Sequence, residues 1–477
     1  MKQKPTLSLG TALIPVVVLV LLLSVNVGIY GDDALSGSNQ FILLLGGSIA
    51  AIIGFKKGTS YKEMLTRVAE NLMSVTGAIL ILLFVGALAG TWLLSGIIPA
   101  MIYYGLQILH PTYFFAACIV ICALISVATG SSWTTSATVG IALIGIGKAM
   151  GLPAGMIAGA VISGAYFGDK MSPLSDTTNL APAMAGGELF SHIRYMTLTT
   201  VPTILITLVV FLIIGFTQDT TAVAQTDSML VAINESFVIS PALFIVPVLV
   251  VVMIARKTPP LIALLIGTLL GALFALIFQQ SLITLLAGQD VITWQSTYKV
   301  IMDAITVSTS IETSHPLLND LFQSGGMAGM LGTIWLIICA MVFGGVMDAI
   351  GALESISTAL LRWAENTFQL FASTVASCLA INVTASDQYL SLVVPGKMFA
   401  KAYEDRGLAP ENLSRTLEDS GTVTSVLVPW NTCGAYQSGV LGVSVAEYFV
   451  FAIFNWLSPF TTLFYAAIGY KIKQLRQ

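Results

Sequence analysis

Long apolar runs, separated by short polar interruptions, follow one another along the whole chain. A membrane-spanning helix needs about 20 mostly apolar residues. Fourteen membrane segments are predicted on this basis, some of them too short or too polar to span simply. They lie near 11–30, 41–55, 72–96, 111–129, 131–147, 153–185, 193–216, 236–254, 259–286, 328–350, 366–385, 387–403, 416–440 and 446–470. The pattern predicts an all-α polytopic membrane protein without a separate soluble domain.

Composition supports this fold class and excludes several functions. Only 9% of the 477 residues are charged and 56% are hydrophobic, with a mean hydropathy of +0.89. A soluble domain is roughly 25% charged, so a soluble enzyme, a nucleic-acid binder and a disordered protein are excluded. The five cysteines lie in apolar segments without zinc-type or disulfide spacing. We therefore expect no cofactor and no nucleic-acid partner, and the lipid bilayer as the surroundings.

The basic residues predict the orientation of the chain. With a cytoplasmic N-terminus, 16 of the 20 Lys and Arg residues fall in inside loops or at inside ends. The predicted outer loops 31–40, 97–110, 217–235 and 287–327 hold many acids but only Lys299 among bases. Because cytoplasmic loops carry an excess of Lys and Arg, both termini are predicted to be cytoplasmic.

The two halves of the chain align at an offset of 256 residues. Thr129 to Trp133 falls on Ala385 to Tyr389, Pro173 falls on Pro429, and Asp176 falls on Thr432. By the charge rule, the aligned segments cross the membrane in opposite directions. We therefore predict two inverted-topology repeats, an architecture found in many secondary transporters. The predicted parts are a first repeat at 1–216, an outer linker at 217–235, and a second repeat at 236–477 with an outer amphipathic stretch at 287–327.

Four polar breaks interrupt the apolar sequence. The first break is 129–135, the second is 168–179, the third is 384–389, and the fourth is 418–434. Irregular backbone at membrane depth persists only where it is buried in protein or lines a wet cavity. The breaks are therefore the predicted location of the functional site.

The second break is the most specific of the four. It places Asp169, Asp176, Asn179 and four hydroxyl side chains within twelve residues, and Pro173 leaves a carbonyl without its helical donor. Hard cations such as sodium bind oxygen ligands of these kinds. A charge at the bilayer centre costs about 2.5–3.5 kcal/mol on insertion scales, so two carboxylates here indicate function. The alternative is an ordinary cytoplasmic loop with solvated charges.

Three more charged residues at the breaks are candidates. Asp387 follows an uninterrupted apolar run and is predicted to be deep in the membrane. Asp419 is a further proton-coupling candidate, although Arg415 is four residues earlier and could pair with it across one turn near the inner surface. Lys170 either neutralises Asp169 in one state or reaches for the interface.

Several of these motifs resemble a known family. Thr129 to Thr135, followed by Gly140 and Gly145, and the whole second break are similar to the NhaC-type sodium/proton antiporter family of the ion-transporter superfamily. So are Gly90 to Trp92 and Trp430 to Gly434. The resemblance covers nearly the whole chain. It implies a multi-pass secondary transporter of the bacterial inner membrane, whose two inverted repeats each contain a re-entrant hairpin and a broken helix.

The resemblance also implies where the hairpins lie and what is transported. By analogy, 131–147 and 387–403 are returning arms of hairpins whose tips lie near Ser131 and Asp387. Hairpin or substrate-site candidates are Gly130, Ser131, Ser132, Thr134 and Lys170. Some family members exchange sodium for protons alone, whereas others exchange malate for lactate with sodium and protons, or carry amino acids. Fold does not choose among these.

The resulting hypothesis is a site that binds sodium or a proton but not both. Asp176 is the predicted shared carboxylate that binds Na+. Its oxygen ligands are predicted to be Ser175, Thr177 and Asn179, and Asp169 and Asp387 are second ligands or proton carriers. Asn431 and Thr432 complete the predicted site from the other repeat, because Thr432 aligns with Asp176.

Three alternatives differ in class. An organic-anion or amino-acid carrier would need a cation for the substrate carboxylate, for which Lys170 or the helix N-termini at the breaks are available. An intramembrane aspartyl protease would use Asp169 with Asp387, but it leaves the repeat and the oxygen-rich breaks without a role. A channel is distinguished from a carrier only by electrical recording. A homodimer is possible for this type of transporter, but no interface signal stands out.

Overall fold

The computed structural model describes residues 7–30, 34, 36–218, 226–288 and 293–475. Within these residues the fold is helical, and its only sheet pairs Thr309–Ser310 with Gln323–Ser324 in antiparallel register. The predicted all-α class is confirmed. Of the residues used to predict orientation, Lys2, Lys4, Asp32, Asp33, Asp219, Asp290 and Arg476 lie outside the described residues.

Eight helices among the described residues are long and apolar enough to cross a membrane. They are Leu9–Tyr30, Ser38–Lys56, Thr76–Leu94, Pro111–Thr129, Leu189–Thr217, Pro260–Phe278, Gly326–Ala349 and Thr367–Thr384. A ninth candidate is the pair Thr226–Ser236 and Pro241–Ala255, which is bent by 85°. The protein is therefore a multi-pass membrane protein. Its other predicted segments are shorter, more polar or interrupted, because glycine, proline and polar residues divide them.

The remaining elements come from these interrupted segments and from the stretches between the predicted segments. The helices are Tyr61–Ser74, Ile97–Ile108, Ser132–Thr135, Ile141–Ala149, Ala154–Met171, Asp176–Ala185, Gln280–Ala287, Trp294–Thr306, Pro316–Leu321, Ala352–Arg362, Gln388–Glu404, Pro410–Leu417, Thr432–Leu441, Val445–Tyr448 and Ile453–Ala467. Two turns, Ser136–Gly140 and Glu418–Thr422, are π-helical, and two, Pro241–Phe244 and Ser425–Leu427, are 3₁₀-helical.

The first break separates Pro111–Thr129 from the helix that starts at Ser132. Gly130 ends the first helix in the left-handed region, at φ 72°. A Cβ at this position would lie 2.6 Å from Cβ of Leu174, so the break fits against the second break only with glycine. The hydroxyl of Ser131 then accepts a hydrogen bond from the Thr134 N–H at 3.1 Å and caps the next helix.

Close helix packing brings the first two breaks together. Ala154–Met171 packs along Pro111–Thr129, and its Gly164 and Gly168 face that helix. A Cβ on Gly164 would be 2.3 Å from the Ile119 carbonyl oxygen, and one on Gly168 would be 2.5 Å from that of Ala123. Small residues four apart permit this approach in membrane helices. The helix therefore delivers the next residue, Asp169, to the first break.

Helix starts in the two halves recur at the predicted offset. The starts are Pro111 and Thr367, Ser132 and Gln388, Ala154 and Pro410, and Asp176 and Thr432, each pair 256 residues apart. Local features recur as well: Gly130 and Ser386 both have positive φ, of 72° and 60°. Ser131 and Asp387 cap equivalent helices, as do Ser175 and Asn431.

The recurrence supports an internal repeat, because bounds and caps are matched as well as apolar runs. The inverted orientation and the division at 217–235 stay predictions, and residues 219–225 of that linker lie outside the described residues. The predicted outer stretch 287–327 contains the helix Trp294–Thr306, whose Ala304 carbonyl packs against Gly90 of Thr76–Leu94. Residues 289–292 of this stretch are also outside the described part.

Candidate functional site

A cavity of about 650 Å³ lies where the breaks meet. All four breaks contribute to its wall. Among the predicted site residues, those on the wall are Gly130, Ser131, Thr134, Asp169, Asp176, Asp387 and Thr432. Residues separated by some 300 positions in the sequence thus face one space. The structure thus brings these predicted residues together around one cavity, and their role in binding stays a prediction.

The carboxylate of Asp169, near the end of Ala154–Met171, contacts the N-terminus of the helix that begins at Ser132 after the first break. It is 5% exposed, and its Oδ2 accepts hydrogen bonds from the Ser132 hydroxyl at 2.7 Å and the Ser132 N–H at 3.2 Å. Helix N-termini favour negative charge, so the position suits a carboxylate. Its other oxygen, Oδ1, is buried without a hydrogen-bond partner among the described residues. That oxygen is available to a cation or a proton.

Asp387 occupies the equivalent helix start in the second half. It is 3% exposed, and its Oδ1 accepts a hydrogen bond from the Leu390 N–H at 2.8 Å as the N-cap of Gln388–Glu404. Its Oδ2 is buried and, in the described part of the chain, unpartnered. Buried polar atoms normally have partners, so an orphaned carboxylate oxygen on a cavity wall indicates a ligand position.

Asp176 differs from the two buried aspartates because it is exposed. It is the first residue of Asp176–Ala185; Oδ1 accepts the Thr177 N–H at 2.9 Å, and Oδ2 accepts a hydrogen bond from the Tyr389 hydroxyl. This contact joins the second break to the third. Asp176 thus lies at the accessible part of the cavity. Because both its oxygens already accept hydrogen bonds, a bound cation would stabilise it less than it would stabilise Asp169 or Asp387.

The predicted neutral ligands mostly cap helices. The Ser175 hydroxyl accepts the Thr178 N–H at 3.3 Å and lies 3.1 Å from the Thr177 hydroxyl. The Asn179 amide donates to the carbonyls of Pro173 and Ser175 at 3.0 and 2.6 Å. These side chains shape the second break and do not line the cavity.

Asn431 plays the same part in the fourth break. Its Oδ1 accepts the Cys433 N–H at 3.0 Å, and its amide donates to the Asn382 carbonyl at 3.1 Å. The neighbouring Thr432 is on the cavity wall, with its hydroxyl 3.3 Å from Asn431 Oδ1. The fourth break therefore presents one hydroxyl to the cavity, oriented by the cap.

Lys170 and Asp419 form a fully buried ion pair away from the cavity wall. Asp419 Oδ2 also accepts hydrogen bonds from the hydroxyls of Thr199, at 2.8 Å, and Thr462. The pairing of Asp419 with Arg415 that the sequence allows across one turn is not found among the ion pairs of the described residues. Lys170 comes from the other half of the chain and takes that place instead.

Two buried charged residues were not predicted as site residues. Glu418 is fully buried, and neither of its carboxyl oxygens has a hydrogen-bond partner among the described residues. Arg415 is also fully buried, with its guanidinium 4.5 Å from the centre of the Tyr195 ring. In the sequence Arg415 is typical of a residue at the inner membrane surface, so the residues around it are also predicted to lie near that surface. The low charge content was the signal that could have marked Glu418.

Lys257 is the only lysine or arginine on the cavity wall as far as the structure describes it. It is exposed and adopts a positive φ of 66° between two helices. No three His, Cys, Asp or Glu side chains in the described ranges are close enough to share a metal ion. A cation in this cavity would therefore be held by at most two carboxylates at a time, together with neutral oxygens.

A multi-pass helical fold whose interrupted helices line an acidic cavity is typical of membrane transport proteins. Residues 164–470 match the model of the Na+/H+ antiporter family. The Na(+)/H(+) antiporter NhaC of Alkalihalophilus pseudofirmus is 38% identical over 421 residues, which cover 88% of each chain. The chain belongs to the Na+/H+ antiporter family, and the resemblance seen in the sequence is confirmed.

Two other relatives are named as carriers of organic solutes. The Malate-2H(+)/Na(+)-lactate antiporter of Bacillus subtilis is 35% identical over 435 residues, 91% of this chain and 88% of that protein. The Arginine/ornithine antiporter ArcD of Halobacterium salinarum is 31% identical over 473 residues, 98% of this chain and 93% of that protein. The family consists of transporters, so the intramembrane protease alternative is wrong.

Proposed function

We propose that the protein exchanges Na+ for H+ across the bacterial inner membrane by alternating access, with both termini in the cytoplasm. One observation carries the proposal: the buried carboxylates Asp169 and Asp387 face one cavity, each with an unpartnered oxygen. Membership of the Na+/H+ antiporter family supports the identity of the ions.

The two buried aspartates are the proposed inner ligands, and Asp176 is the proposed outer one. An exposed carboxylate attracts cations to the cavity, whereas a buried one loses its hydration and gains most from a bound cation. Neutral oxygens would complete the coordination, as carbonyls of unwound helices do in other transporters. The proposed neutral ligands are the hydroxyls of Ser131, Thr134 and Thr432.

Antiport follows if the same carboxylates bind either ion. A buried carboxylate is stable when it is protonated or when it binds a cation, but an empty, charged one is costly. Na+ entering from one side therefore displaces the proton, and a proton entering from the other side displaces Na+. The proposed inverted repeats, 1–216 and 236–477, would move relative to each other to change the open side.

An organic solute is the second candidate, favoured by the size of the cavity. A volume of about 650 Å³ corresponds to roughly 20 water molecules, which is much more than a bare Na+ needs. Lys257 on the wall is available to a substrate carboxylate, whereas Lys170 is paired with Asp419. A carried malate, lactate or amino acid would therefore bind between Lys257 and the Na+ site.

Transport by the purified protein in liposomes with a pH-sensitive dye inside tests both candidates. Sodium, lithium and potassium are applied with and without malate, lactate and amino acids. Proton movement with sodium alone supports cation antiport. Movement that requires an organic solute would contradict cation antiport and support the second candidate.

The role of Asp176 is tested in the same vesicles with Asp176→Asn. We expect a weaker apparent sodium affinity, because the accessible carboxylate at the cavity is lost. Asp227→Asn, a change of an exposed aspartate that does not line the cavity, is the control. Full sodium-driven proton movement at wild-type affinity would show that Asp176 is not a ligand.

A further inference from the structure

A second group of charged side chains is buried beside the cavity but does not line it. Lys170, Glu418 and Asp419 are each fully buried. The ion pair between Lys170 and Asp419 balances one positive and one negative charge. Glu418 adds a carboxyl group that this pair does not neutralise.

Both carboxyl oxygens of Glu418 are buried without a hydrogen-bond partner in the described part of the chain. A buried carboxylate without hydrogen bonds is strongly disfavoured, so this environment favours the protonated form of Glu418. It lies in the π-helical turn Glu418–Thr422, a feature that often occurs at functional sites.

Glu418 is linked electrostatically to the cation site. Lys170, Asp169 and Asp419 are charged groups that act on Glu418, and Asp419, its neighbour in the chain, is paired with Lys170. Asp169 and Lys170 are consecutive residues, one facing the cavity and the other Asp419. The negative charges of Asp169 and Asp419 oppose ionisation of Glu418. A sodium ion or a proton on Asp169 cancels one of these repulsions.

We propose that Glu418 relays the exchanged proton between Asp169 and water when a cation binds Asp169. The O–H bond of Glu418 breaks, and its proton passes to water admitted as the site opens. The proton that Na+ displaces from Asp169 then passes to Glu418 and restores its O–H bond. This assignment rests on the proposed Na+/H+ exchange and adds a proton site separate from the cation ligands.

The variant Glu418→Gln keeps the size of the side chain and removes its proton site. Two fluxes are measured in proteoliposomes: sodium-driven proton movement, and exchange of radioactive sodium for sodium, which moves no net protons. We expect proton movement to fall at least tenfold while sodium exchange stays within about twofold of wild type. Glu418→Asp should restore part of the proton movement. The exposed Glu404→Gln is the control and should retain both fluxes.

Three other results would overturn the assignment. Glu418→Gln with wild-type proton movement would show that Glu418 carries no exchanged proton. Loss of both fluxes would place Glu418 in the cation site or in the folding of the fourth break. A wild-type protein that moves sodium but no protons would overturn the proposed function, and this assignment with it, whereas a defect confined to the variant leaves the proposed function intact.

Discussion

The contact between Ser132 and Asp169 sets the balance between sodium and proton at the proposed site. Ser132→Ala removes the hydroxyl that donates to Asp169 Oδ2 at 2.7 Å and keeps the backbone N–H at 3.2 Å. A hydrogen bond to a charged group contributes about 1.5–3 kcal/mol. Because 1.4 kcal/mol is a factor of ten, the charged form of Asp169 should become roughly tenfold to a hundredfold less favoured.

The assay is the apparent sodium affinity for proton movement in proteoliposomes at neutral and at alkaline pH. A less favoured carboxylate holds its proton more strongly, so apparent sodium affinity should fall about tenfold at neutral pH. The deficit should shrink at alkaline pH, where fewer protons compete. The control is Ser163→Ala, which removes a buried, unpartnered hydroxyl from the same helix as Asp169. An unchanged affinity, or a deficit that does not vary with pH, would refute the reasoning.

Two further predictions concern stability, measured as the melting temperature in detergent. Gly164→Ala should lower it clearly, because the new Cβ would lie 2.3 Å from the Ile119 carbonyl, whereas Gly332→Ala meets nothing within 4 Å and should not. Equal melting temperatures would show that this helix contact is not tight. Either Lys170→Met or Asp419→Asn should cost about 3–5 kcal/mol by leaving a buried charge alone, and the double variant should recover much of the loss. If the double variant is no more stable than either single variant, the two charges do not stabilise each other as a pair.

The breaks were predictable from the sequence because their cause is local. A polar group at membrane depth needs a partner or a cavity, so 168–179 marks an interrupted helix wherever it occurs. The caps Ser175 and Asn431 also follow a local rule, since Ser and Asn are favoured before a helix. That rule explains why their oxygens bond to backbone N–H groups, and their role as cation ligands stays a prediction.

The partners of the buried charges were not predictable, because they come from distant parts of the chain. Asp419 has Arg415 one turn away, but Lys170, 249 residues earlier, is its partner. The low charge content marks Glu418 only as one of several charged residues at the breaks, and nothing in the sequence shows that its carboxyl group lacks a partner. Only the packing of the two halves decides which charges meet. Which of the fourteen predicted membrane segments cross the membrane was not predictable either, since apolar length does not distinguish a crossing from a broken segment.

The central claim is that two buried carboxylates at the breaks bind the exchanged cation. The most direct test is sodium exchange for sodium by Asp169→Asn and Asp387→Asn in proteoliposomes, because this flux needs the cation site but no proton. The account predicts that each variant loses sodium exchange at least tenfold, while Asp227→Asn keeps it. Wild-type sodium exchange by both single variants and by the double variant would contradict the account.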